Sequence, residues 1–126
     1  MQQARVPEAL SHLPLKPVDF HILLVLTEHD LHGYGIVKEI EARTGGHIRL
    51  EPGNLYRYVR RLGDEGLVAP AERREVEASA ERRRYYRVTS LGRRVLAADA
   101  SRMRTLVAAA EACVVLPPGP YGQDAG

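Results

Sequence analysis

The chain has 126 residues, 44% of them hydrophobic, and a formal net charge of +2. That length and composition specify one globular domain around one core and exclude a disordered chain. No apolar run approaches the ~20 residues that cross a bilayer, the opening MQQARVPEALSHLPLK has no apolar core of a signal peptide, and Cys113 stands alone, which excludes an intrachain disulfide and fits a reducing, cytoplasmic setting.

Residues 1–16 read as a flexible polar lead, with at most a short helix around Pro7 to Leu13. A first helix should open at Pro17, with Asp19 favoured near its positive end. Its core face is expected at Phe20, Leu23, Leu24 and Leu26 to Thr27, and its end near Glu28 to Asp30. The second helix is expected from Gly33 to Arg43, with Ile36, Val37 and Ile40 at helical spacing and Thr44-Gly45-Gly46 closing it. Ile48-Arg49-Leu50 reads as an extended link that can form a single sheet rung. Pro52 should open a third helix, where Leu55, Val59 and Leu62 make one buried stripe and Gly66 ends the run.

Next comes a hairpin. Leu67-Val68 starts its first strand, and Pro70 confines that strand to an edge or a bulge. Val76 to Glu81 is the tip, and Arg82 to Val88 is the second strand. Thr89 is a good N-cap for a long last helix, Ser90 to about Leu116. Pro117-Pro118 stops it, and residues 117–126 are expected to be a disordered tail.

The charge distribution says more than the net charge. All but Lys16 and Lys38 of the 18 basic residues are arginine. Residues 82–87 hold Arg82, Arg83, Arg84 and Arg87 with no acid between them, and Arg73 and Arg74 face them from the other arm. Arginine forks onto phosphates and guanine edges. A basic helix beside a basic hairpin is the layout of a winged helix-turn-helix on DNA. The expected fold is therefore mostly α with a small β-hairpin: a winged helix-turn-helix over residues 17–89, then a C-terminal dimerisation helix over residues 90–116.

That last helix has its own signal. Leu96, Asp99, Met103, Leu106, Ala110 and Cys113 follow the alternating spacing of a two-helix seam, widened by Val107 and Val114. A helix of that length outreaches a three-helix domain, so a homodimer is expected. Asp99 interrupts the apolar rhythm. A polar seam residue can set the register, or it can line an effector cavity together with Phe20, Leu96 and Met103.

The candidate DNA contacts follow from position. Pro52, Gly53 and Asn54 begin the third helix, a natural phosphate site. Tyr56 and Arg57 lie one turn in, although Tyr56 can instead support the second helix. Arg60 and Arg61 can meet DNA or simply face solvent. Tyr34 and Lys38 sit one turn apart on the second helix, where Lys38 can also pair with Glu39 or Glu41. On the hairpin, Arg82, Arg84 and Tyr86 share one side and Arg83, Tyr85 and Arg87 the other, so only one set can face DNA. His21, His29 and His32 are near one another, but no cysteine or acidic cluster completes a zinc site. No catalytic motif, paired-carboxylate set or cofactor loop is present, so neither an enzyme nor a cofactor is expected.

Four blocks then carry a resemblance: Leu31-His32-Gly33-Tyr34-Gly35-Ile36, Pro52-Gly53-Asn54-Leu55-Tyr56, Arg61-Leu62 with Glu65-Gly66-Leu67-Val68, and Arg83-Arg84-Tyr85-Tyr86-Arg87-Val88-Thr89-Ser90-Leu91-Gly92. In this order and spacing, over about residues 20 to 115, the chain resembles the PadR family of bacterial transcriptional regulators, in its compact form with one dimerisation helix. Asn54 departs from the threonine usual there and keeps a short polar side chain. The resemblance implies a dimeric repressor on a palindromic operator in double-stranded DNA, released by a small aromatic or lipophilic effector. The alternative function is a winged-helix adaptor that binds protein rather than DNA.

Overall fold

A computed structural model describes residues 8–72, 84–113 and 117. A short 3-10 helix, Glu8–His12, precedes α1, Pro17–Leu26; β1, Leu31–His32, runs straight into α2, Gly33–Arg43. Then come α3, Pro52–Asp64, the strands β2, Val68–Ala71, and β3, Tyr85–Val88, and the long α4, Ser90–Ala112. The expected mostly helical fold with a small sheet is the observed one.

Helix α1 is the centre of the core. Ile22, Leu23, Val25 and Leu26 are all buried, while Phe20 and Leu24 are only half-buried. The expected face was displaced because an almost wholly apolar helix has no polar side from which to read its orientation. Helix α3 is the opposite case. Leu55, Val59 and Leu62 are buried, as their spacing indicates, and the rest of the helix is polar and largely exposed.

The sheet has three antiparallel strands in the order β1-β3-β2. Leu31 pairs with Tyr86 and His32 with Tyr85, while Val68, Ala69, Pro70 and Ala71 pair with Val88, Arg87, Tyr86 and Tyr85. Strand β1 is two residues long, too short for alternation to announce it. Ile48-Arg49-Leu50, the expected rung, forms no strand. Pro70 lies on edge strand β2, where its missing N–H breaks no ladder bond on the outer side. The hairpin tip, Arg82 and Arg83, the lead over residues 1–7 and most of the tail lie outside the described residues.

Helix α4 is pinned to the base of the hairpin. The Thr89 Oγ1 accepts from the Gly92 N–H at 2.9 Å and donates to the Gly66 carbonyl at 2.6 Å. The Thr89 N–H donates to the Leu67 carbonyl at 3.0 Å. Gly66, at φ +79°, makes the left-handed turn out of α3 that brings this carbonyl round. A Cβ on Gly92 would stand 2.2 Å from the Leu67 oxygen, so only glycine lets α4 approach this closely.

Beyond that point α4 packs on α1 and on the 3-10 helix. This corrects the seam. Val95, Leu96 and Asp99 are buried within a single chain, and the Asp99 carboxylate accepts from Arg102 Nε at 2.7 Å. Leu96 and Asp99 are therefore covered by their own chain and do not lie on an open dimer seam. The exposed apolar stretch starts later, with Leu106 and Val107 about half exposed and Cys113 open. Met103 and Ala110 flank it, partly covered.

Candidate nucleic-acid interface

Helices α2 and α3, followed by the hairpin, place the candidate contacts along one side of the domain. At the start of α2, His32 is the N-cap: its Nδ1 accepts from the Gly35 N–H at 3.0 Å. Its ring meets Tyr85 edge-on at 5.2 Å and stacks with Tyr34 at 6.4 Å. These contacts join the helix start to β3. Among the described residues, no three His, Cys, Asp or Glu side chains converge on a common point.

Tyr34 is 61% exposed, and Lys38 Nζ lies 5.7 Å from its ring centroid. The carboxylates that compete for Lys38 are engaged elsewhere: Glu39 with Arg43 at 3.2 Å and Glu41 with Arg49 at 3.7 Å. The Lys38 ammonium thus stays over an aromatic face at the surface, free to turn to a phosphate.

On α3, Pro52, Gly53 and Asn54 are exposed. The Asn54 N–H is used internally, bonded to the Glu51 carbonyl at 3.0 Å, and Pro52 has none. Gly53 is thus the residue of this first turn with a donor to offer, and open space lies around its Cα. The Arg57 Nη2 donates to Asn54 Oδ1 at 3.1 Å, which holds the guanidinium along the outer face of the helix. Tyr56 is 53% exposed, so it belongs to the surface while its hydroxyl still reaches back to Gly33 of α2. Tyr56 is thus both open to solvent and packed against α2.

Arg61 is held from within the domain. Its Nη1 and Nη2 donate to the two carboxylate oxygens of Asp19 at 3.1 and 2.9 Å. Asp19 is buried, and this pair ties the end of α3 to the first turn of α1. Arg61 is thus a structural tie, and its exposed part borders the hollow that Arg57 and Arg60 also line. A lone basic residue on a helix pattern cannot reveal a buried partner 42 positions away in the chain.

Between α3 and the hairpin lies a cleft of about 580 Å³, lined by Tyr56, Val59, Arg60 and Gly63 of α3, Val68, Ala69 and Pro70 of β2, and Arg84 and Tyr86 at β3. The strand alternation is therefore resolved for the described residues: Arg84 and Tyr86 face α3, and Arg87 lies on the other side. Burial pushes the Tyr86 hydroxyl above its usual 10.0, Tyr56 adds to that, and Arg84 opposes it. The hydroxyl stays protonated near neutral pH, a donor as well as an acceptor. Among the described residues neither Arg60 nor Arg84 has an ion-pair partner. A shallower hollow beside it takes in Tyr56, Arg57, Arg60 and Arg61 together with Asp64.

Arg57, Arg60, Arg84 and Lys38 thus stand exposed on the two helices of a helix-turn-helix and on the hairpin beside them. Tyr86, His32 and Tyr85 join Tyr34 at this surface without being marked by charge; their aromatic character beside the basic residues is the signal the sequence offers.

Comparison with known proteins agrees with this geometry. Residues 22–98 match the family model described as the transcriptional regulator PadR-like family. The chain is 36% identical over 89 residues to the Transcriptional regulator Rv3488 of Mycobacterium tuberculosis, covering 71% of this chain and 78% of that protein. Its fold is similar to that of a PadR family transcription regulator from Clostridium difficile, with a TM-score of 0.65 at 24% identity over 79% of this chain and 99% of that one. It is also similar to Bacillus subtilis PadR, solved in complex with operator DNA, with a TM-score of 0.55 at 22% identity over 64% of this chain and 46% of that one. With its helix-turn-helix, wing and pinned C-terminal helix, the chain belongs to the PadR-like family of transcriptional regulators, which are not enzymes.

Proposed function

We propose that this chain binds a palindromic operator in double-stranded DNA as a twofold dimer and represses transcription by occupying it. Helix α3 enters the major groove with Tyr56 and Arg57 towards the bases. Gly53, Asn54, Tyr34 and Lys38 meet the backbone, and the wing, with Arg82 and Arg84 on one side of its strand, reaches the flanking phosphates. The observation that carries the reading is the exposed set of Arg57 and Arg60 on α3 and Arg84 just before β3, with no ion-pair partner among the described residues. An adaptor surface gains nothing from holding unneutralised guanidiniums there, whereas a polyanion neutralises them and releases counterions. The second copy is expected to dock on Met103, Leu106, Val107, Ala110 and Cys113 of α4. The family resemblance supplies the regulatory half of the reading, repression relieved by a small aromatic or lipophilic molecule.

The test is selection of bound duplexes from a random library. The reading expects enrichment of an inverted repeat whose half-sites lie about 34 Å apart, one helical turn. Recovery of unenriched sequence, or of a single half-site, would count against it.

A further inference from the structure

We propose that the cleft between α3 and the wing is a seat for one DNA backbone phosphate, gripped jointly by Arg60 of the helix and Arg84 of the wing. The proposal rests on the DNA-binding reading above and says how that contact is built.

The two guanidiniums line the same cleft although they come from different elements. Its inner wall is apolar, with Val59 and Val68 buried behind it. No Asp or Glu is among its lining residues. The neighbouring hollow holds Arg57 and Arg61 as well as Asp64; Arg61 is already neutralised by Asp19, and the Asp64 carboxylate offsets one of the two remaining guanidiniums there. Arg60 borders both hollows, so an anion that approaches it is favoured on the wing side. There the Tyr86 hydroxyl, kept protonated by burial, adds a neutral donor. A phosphodiester has two free oxygens. Two forked guanidiniums satisfy both of them, and charge-assisted bonds of this kind are the stronger class.

A shared phosphate has a consequence that independent contacts lack. Counterion release counts phosphates neutralised, with a log–log salt slope of about 0.9 for each one. Two arginines on one phosphate therefore count roughly once. Either arginine alone still neutralises most of it. The grip also makes the wing's position depend on α3, so the hairpin docks only where the helix is seated.

The experiment measures operator affinity from 50 to 300 mM salt, a range of order the Debye-screening regime, for the full chain and for Arg60→Ala, Arg84→Ala and the double variant. Both residues are exposed, and circular dichroism checks that each variant folds. The expected result is that each single variant lowers the slope by well under 0.9 and the double variant lowers it by about 0.9. Arg60→Lys, which keeps the charge, should leave the slope unchanged. A loss of about 0.9 in each single variant and about 1.8 in the double would show two separate phosphates and overturn the proposal. An unchanged slope in the double variant would overturn it equally. If the unaltered chain binds no DNA at any salt, the functional reading itself fails, an outcome distinct from either of these.

Discussion

Arg61 and Asp19 lock the two ends of the helical core together. The guanidinium sits across both carboxylate oxygens at 3.1 and 2.9 Å, with the aspartate side chain 4% exposed and the arginine 38%. The aspartate also lies in the first turn of α1, where the helix dipole favours its charge. Arg61→Ala would leave a buried carboxylate without its partner. Breaking a buried pair in this way costs about 3–5 kcal/mol, and the partial exposure of Arg61 brings the expected loss to roughly 2–3 kcal/mol. Urea denaturation measures it. A variant that keeps its stability and loses DNA affinity would return Arg61 to the interface.

Gly92 is the most tightly packed of the described glycines. Its ideal Cβ would meet the Leu67 carbonyl oxygen at 2.2 Å and a Val88 methyl at 2.8 Å. The oxygen belongs to backbone that already accepts from the Thr89 N–H, so it has little room to yield. Gly92→Ala should cost about 3 kcal/mol, at the upper end of overpacking effects. It should also move the wing relative to α4. Thermal unfolding within about 2 °C of the unaltered chain would show that the junction gives way easily.

Dimerisation is expected to depend on the later part of α4. Leu106 and Val107 are 54% and 46% exposed, a patch with no covering element in the described chain. Leu106→Glu places a charge in the docked surface and should convert the dimer to a monomer in analytical ultracentrifugation, while the fold is retained because the residue is outside the core. A monomer before substitution would remove the dimer from the account. Asp99→Leu, by contrast, should lower stability, since it strands Arg102.

Tyr86 gives the domain an alkaline limit. Its hydroxyl titrates above 10.0 in the folded chain because burial disfavours the phenolate. The unfolded chain then loses that proton first. The contribution to stability is complete below the ordinary tyrosine range, about 10, and is lost as pH rises through the folded value. Absorbance titration should show a late phenolate step that disappears in Tyr86→Phe. Persistence of that step in the variant would assign it to another tyrosine.

Much of the fold was legible in the sequence, and the reasons are particular. Helix α3 alternates sharply between Leu55, Val59, Leu62 and a polar remainder, so its buried stripe and its outward face could be read together. Pro17 and Pro52 mark helix starts, and Thr89 and Gly66 mark turns. Helix α1 hid its orientation because it is apolar on every side. Strand β1 hid because two residues make no period. The site was legible as far as charge clusters go. What stayed hidden was which charges are already used: Arg61 by Asp19, Asp99 by Arg102. Those pairings depend on how the helices cross, and no local pattern records that.

The central claim is that α3 reads DNA sequence through its exposed face, and Arg57 is its most direct probe. The decisive measurement is the affinity of the full chain and of Arg57→Ala for a selected operator and for a scrambled duplex of equal length, at one fixed salt concentration. The account expects the unaltered chain to prefer the operator by at least roughly 10³-fold. It expects Arg57→Ala to lose about 1–3 kcal/mol on the operator and little on the scrambled duplex. Equal binding of both duplexes by the unaltered chain, or binding of neither, would contradict it.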